Sequence, residues 1–191
     1  MRKLSYYVAA SIDGFIGAPG GDALFFNRFV VGDYLDYLRT EQADTLPAMA
    51  RQHFGIEDRP LSRYDTVIQG RASYDLALQE GITRPYAHLR EIVASRTLTE
   101  SPDPQVEIVS ADPVGRVREL KKEEGLSIYL CGGANLAGQL RDEVDELVIK
   151  TYPVVLGEGM RMFDAEFRVD DFSLVSSRAF DNGVVVRQYE R

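Results

Sequence analysis

The chain has 191 residues, 45% of them hydrophobic and 27% charged, enough for one sizeable core and too few for two comfortable domains. A net charge of −8 excludes long-range attraction to nucleic acid or an anionic membrane, so any anionic ligand must be met by locally placed cations. One cysteine, Cys131, excludes an internal disulfide and a cysteine-based metal site, and fits a reducing cytoplasm.

The opening MRKLSYYVAASIDG is basic and then apolar, but Ser11 and Asp13 break the run. Neither a signal peptide nor a membrane span is expected. Residues 4–12 read as a buried strand that ends at the turn signal Asp13-Gly14. A flexible loop, Ala18 to Asp22, follows. Residues 24–38 are aromatic-rich and helical in pattern, with Gly32-Asp33 as a kink or as the start of a second helix. Residues 46–53 suggest another short helix, and residues 58–62 a connection. Tyr64 to Gly70 is a second strand, and a helix starts at once at Arg71. Strands over 89–94 and 106–109 follow, then a helix over 113–124 with Pro113 in its first turn. Ser127 to Cys131 is an apolar strand, Ala134 to Leu140 a helix, and 144–152 a further strand. Residues 153–163 read as a loop. Two alternating stretches, 172–180 and 184–189, flank the hairpin signal Asp181-Asn182-Gly183. Alternating strands and helices imply one α/β domain over 1–191, a mostly parallel sheet covered on both faces with a C-terminal antiparallel hairpin.

Three junctions stand at the carboxyl ends of parallel strands: Gly70-Arg71, Ser95-Arg96 and Gly132-Gly133. Open α/β sheets bind ligands at that edge. Two glycines between a strand and a helix allow a ligand close to the backbone, and the helix start offers free N–H groups to a pyrophosphate. Packing alone accounts for such a turn equally well. Arg71 is either a phosphate ligand or a solvated charge on a helix face, and Ser95 either a ligand or a turn residue. Taken together, two arginines and a double glycine after three strands favour a phosphorylated cofactor, most simply NADPH.

The strings YVAASIDGFIG, YDTVIQGRASY, IVASRTL, IYLCGGANLAGQL and DELVIKTYPVVLGEGMRMF, in this order along nearly the whole chain, resemble the dihydrofolate-reductase-like family. The nearer branch is the reductase domain of bacterial riboflavin biosynthesis, 5-amino-6-(5-phosphoribosylamino)uracil reductase, and its stand-alone relatives. The resemblance implies a three-layer dihydrofolate-reductase-like fold, NADPH as cofactor, a small-molecule substrate, a cytoplasmic homodimer and often a cis Gly-Gly bond. It places Ala10, Ile16 and Gly17 beside the nicotinamide. Gly70, Arg71, Ala72 and Ser73 would hold phosphate, and Ser95 and Arg96 the adenosine ribose or its 2′-phosphate. Cys131, Gly132, Gly133, Ala134, Asn135 and Leu136 would surround the pyrophosphate.

Two departures bear on the substrate. The chain has no Trp for the Pro-Trp pair usual in dihydrofolate reductases, and His53, His88 and one cysteine do not make the zinc deaminase of bifunctional riboflavin enzymes. Hydride transfer needs a proton source. Candidates are Asp13, Asp22, Asp33, Asp36 and Glu158. A continuous helix would set Asp33 on one face with Phe26, Phe29, Val30 and Tyr37, aimed into an apolar pocket as catalytic acid, whereas a helix starting near Gly32 makes it a cap. The expectation is an NADPH-dependent reductase of a small heterocyclic or sugar-linked substrate. Reduction of a pterin, or nucleotide binding without catalysis, is the alternative.

Overall fold

Six strands with near-continuous apolar runs lie side by side and point the same way. In the computed structural model, which describes every residue from Met1 to Arg191, they are β1 (Leu4–Ala10), β3 (Tyr64–Gly70), β4 (Arg90–Ala94), β5 (Val106–Val109), β6 (Ser127–Gly132) and β7 (Glu146–Thr151). The antiparallel hairpin of β9 (Ser173–Ala179) and β10 (Val185–Glu190) extends the sheet, giving the order β5-β4-β3-β6-β1-β7-β10-β9. A separate ladder pairs β2 (Phe15–Gly17) with β8 (Met160–Arg161).

Side-chain alternation along the strands sends one apolar set to each face. Leu4, Tyr6 and Val8 of β1 and Ile128 and Leu130 of β6 meet Val117 and Leu120 of α4 (Pro113–Lys122) and Leu136 and Ala137 of α5 (Ala134–Gln139). On the other face Tyr7 and Tyr129 join Tyr34, Tyr37 and Leu38 of α1 (Gly32–Glu41). A smaller cluster packs Tyr74 of α3 (Arg71–Gln79) on Val93 and Val106. A fifth helix, α2 (Ala48–His53), precedes β3. Each large apolar side chain fully buried in these layers contributes about 1.5–3 kcal/mol. Anchored from both faces, the central strands hold their carboxyl ends in fixed positions.

Two elements differ from expectation. Residues 24–38 are not one helix: a 3-10 segment, Leu24–Phe29, stops before α1 begins at Gly32. Gly32 has φ +59°, a left-handed conformation that turns the chain between the two segments. The expected loop 153–163 contains β8. Asp13 fixes its start, since both carboxylate oxygens accept from the N–H of Leu156 and Oδ2 also from that of Gly157 at 2.7 Å.

Candidate functional site

The carboxyl ends of β5, β4, β3 and β6, four neighbours in the sheet, open into a cleft of about 790 Å³. That volume suits a cofactor site, and four strands about 4.8 Å apart give a floor roughly 14 Å long. Gly70 to Ser73, Ala94 to Thr97, Val109 to Ala111 and Gly133 to Leu136 supply the floor. Gly20, Gly21, Met160, Arg161 and Asp164 form the rim.

Two helices begin at this floor without a side-chain cap: α3 on Gly70 and α5 on Gly133. Their first-turn amides have no partner inside the helix, which makes each start a donor set for an anion. With six residues, α5 contributes amides rather than a developed dipole, whereas α3 has nine residues. The two starts lie close together. A Cβ built on Gly70 would stand 3.5 Å from both the Gly132 oxygen and the Gly133 nitrogen, and one on Gly133 would stand 3.8 Å from Ser73 Oγ. The Gly132-Gly133 bond is cis.

Positive charge is present locally at the cleft. Arg96 and Arg161 are exposed, line the cleft and make no ion pair. Arg71 also lines it, but its Nε donates to Asp75 Oδ1 at 2.5 Å, so its charge is partly answered. Ser95 holds a turn, its Oγ accepting from Leu98 N at 2.9 Å and Thr97 N at 3.3 Å. Asn135 Nδ2 donates to Asp164 Oδ2 at 3.4 Å, and its Oδ1 accepts from Gln139.

The cleft brings together Gly70, Arg71, Ala72, Ser73, Ser95, Arg96, Gly133, Ala134, Asn135 and Leu136. It does not include Ala10, Ile16, Gly17, Cys131 or Gly132. Ala10 and Ile16 turn into the core, because strand alternation puts Ala10 on the same face as Tyr6 and Val8. The small residue left accessible at the end of β1 is Ala9. Gly17 sits in the β2–β8 ladder beside Met160, and Gly132 is buried below the floor. Cys131 points to the α1 face of the sheet, where Tyr86 Oη lies 3.4 Å from its sulfur.

Asp33 does not enter an apolar pocket. The break at Gly32 leaves it exposed in the first turn of α1, with one oxygen 3.4 Å from the Asp181 N–H that donates to it. The other carboxylates have local roles or face solvent. The Ser11 hydroxyl and the Gly157 N–H hold the Asp13 carboxyl down to about 2, and Asp22 accepts from Leu24 N. Asp36 and Glu158 are exposed. A buried acid that the sequence reading missed is Glu91 of β4, which accepts from Gln69 Nε2 at 2.8 Å and Tyr86 N at 3.1 Å. Burial pushes its carboxyl up to about 7, despite the Tyr86 hydrogen bond, the nearby Arg84 charge and the Gln69 hydrogen bond, which all lower it. Arg161 was missed too. Ser110 follows β5 as Ser95 follows β4, so the same strand-end reasoning reaches it; Arg161 comes from a loop with no such signal.

Fold and cleft together define a dihydrofolate-reductase-like α/β domain. The chain belongs to the family of the RibD C-terminal domain, whose model matches residues 2–186. It is similar to two uncharacterized proteins of Bacillus subtilis strain 168. YyaP is 32% identical over 198 residues, covering 96% of this chain and 92% of YyaP. YwjB is 27% identical over 188 residues, covering 96% and 95%. Among solved structures, a Shewanella sp. PV-4 protein assigned to riboflavin biosynthesis superposes with TM-score 0.72 at 23% identity, over 100% of this chain and 99% of that one. The Thermotoga maritima diaminohydroxyphosphoribosylaminopyrimidine deaminase/5-amino-6-(5-phosphoribosylamino)uracil reductase superposes with TM-score 0.62 at 15% identity, over 99% of this chain and 56% of that longer one. Enterococcus faecalis dihydrofolate reductase, solved with NADP(H), gives TM-score 0.62 at 16% identity, over 99% and 96%.

Proposed function

We propose that this protein is an NADPH-dependent reductase of a small heterocyclic or sugar-linked substrate. The observation that carries it is one cleft across four parallel strand ends, combining two uncapped helix starts with unpaired Arg96 and Arg161. Those residues fit a phosphorylated dinucleotide: amides of α3 and α5 with Ser73 for the pyrophosphate, and guanidinium groups for a further phosphate. A bound nicotinamide would supply the hydride. The chain's own part is to hold the phosphates, offset local negative charge and fix the ring at the sheet edge. Family membership supports the reductase class, and the reductase named for the Thermotoga relative makes 5-amino-6-(5-phosphoribosylamino)uracil the first substrate to try.

The exposure of Asp33 favours a second reading, a nucleotide-binding protein that has lost catalysis. Titration with NADPH and NADH, followed by the absorbance of the reduced nicotinamide with that uracil derivative and with dihydrofolate, separates the two. Tight NADPH binding with oxidation by the uracil derivative is expected. Oxidation by dihydrofolate alone would make it a pterin reductase, and binding without any oxidation favours lost catalysis. If neither cofactor binds, both readings fail.

A further inference from the structure

On the sheet face covered by α1, three neighbouring strands end alike. Tyr129 of β6, Tyr7 of β1 and Val148 of β7 are sealed at 5%, 2% and 1% exposure. Two residues further along the same strands, Cys131, Ala9 and Lys150 are only half-buried. The first layer is closed packing, and the second is partly open to solvent. It lies at the carboxyl edge where the cleft also opens, since Cys131 runs into Gly132-Gly133. Lys150 stands in register between Ala9 and Val186. Its Nζ lies 4.0 Å from the centre of the Tyr7 ring and makes neither an ion pair nor a hydrogen bond. The titratable groups around it are Tyr7 from β1 and Cys131 from β6, with Tyr86 against the Cys131 sulfur. None is a carboxylate. Burial pushes the Lys150 ammonium down to about 8, with Cys131 acting weakly the other way. An ammonium that has lost part of its water and lacks a counter-ion disfavours the folded state. A ligand that supplies the missing charge would offset that cost where Lys150 is partly open to solvent.

We propose that Lys150 is the substrate-facing cation of this protein, selecting a planar ring that carries an anionic oxygen and seating it over Ala9 at the strand ends. The proposal rests on the reductase reading and names the substrate class that reading leaves open. Benzoate and benzamide, equal in ring and size and different in charge, serve as probes. Their binding is measured by calorimetry on the protein without cofactor and again with NADP⁺ bound, in the parent, Lys150→Met and Lys150→Arg. The parent should take benzoate about tenfold more tightly than benzamide, as for a charge-assisted contact. Lys150→Met should bind both alike, Lys150→Arg should restore part of the difference, and NADPH affinity should stay within about twofold in both variants because Lys150 lies outside the cofactor cleft. Absence of benzoate binding to the parent, equal binding of both probes to it, or discrimination that survives in folded Lys150→Met overturns the proposal. Should Lys150→Met fail to fold, the parent comparison and Lys150→Arg decide it. If NADPH does not bind the parent, the reductase reading falls, while the cofactor-free comparison still tests Lys150.

Discussion

Arg96 and Arg71 stand at equivalent places, each after a strand, yet their surroundings set them apart. The Arg71 guanidinium is held by Asp75, whereas Arg96 has no partner. A charge-assisted contact to phosphate contributes about 1.5–3 kcal/mol, so Arg96→Ala should weaken NADPH roughly ten- to hundredfold and NADH far less. Arg71→Ala should have a smaller effect. Binding titrations of both cofactors check this, and equal losses would move Arg96 to the shared pyrophosphate. Glu91 makes a separate prediction about pH. Its carboxyl is raised from 4.5 to about 7 in the fold, so below 4.5 folded and unfolded chains both hold the proton. Between 4.5 and 7 only the folded chain holds it, and stability therefore falls as pH rises through that window. The fall is about 3 kcal/mol at most. Urea midpoints on either side of the window should show it in the parent, and Glu91→Gln should abolish it.

Gly133, at the start of α5, and Gly138, within it, predict different effects on stability. Gly133 has φ −88° and space for a Cβ, so Gly133→Val should fold normally while its side chain fills the cleft beside Ser73. NADPH affinity should drop at least about tenfold, by loss of close approach. Gly138 lies against the 160–164 segment, where a Cβ would come within 2.1 Å of the Asp164 carbonyl oxygen. The same segment is tied to α5 through Asp164 N–H donating to Ala134 O at 3.0 Å. Gly138→Ala gains about 0.8–1 kcal/mol of helix propensity but meets an overpacking cost of about 1–3 kcal/mol. Thermal melting should therefore show a lower Tm, with weaker cofactor binding as the rim moves. The difference also explains which elements were legible in the sequence. β3 and β5 appear with their expected bounds because their short Val/Ile-containing segments are stopped by glycine or polar residues. β2 and β8, three and two residues long, are too short for any periodicity. Asp33 and Ala10 were misplaced because both depended on orientation: one on whether a helix continued past Gly32, the other on which face of β1 an alanine takes.

At the scale of the whole molecule, ten expected cofactor residues lie together because strand-end reasoning depends only on topology, which the order of elements already implied. Lys150 and Arg161 needed the third dimension. Homodimerisation is a further expectation at this scale. Every residue of β9 is exposed, including Leu174 and Val175, and β9 ends the sheet with unpaired backbone groups. An edge of that kind invites pairing with a second chain. Light scattering should give twice 21.4 kDa, and Val175→Lys should return the mass to 21.4 kDa.

β1 is synthesised first and lies between β6 and β7. Ser5 and its partner Glu146 are 141 residues apart. At 5–20 residues per second a ribosome needs roughly 7–28 s to cover that distance. Until β6 is made near the end of this interval the apolar strand Leu4–Ala10 has neither neighbour, and no earlier subset of the chain can close the sheet around it. The sheet therefore closes only late in synthesis, and until then the exposed β1 suits a holding chaperone. A ribosome-bound chain halted before Glu146 emerges should be cleaved within β1 by added protease, whereas the folded 191-residue chain should resist.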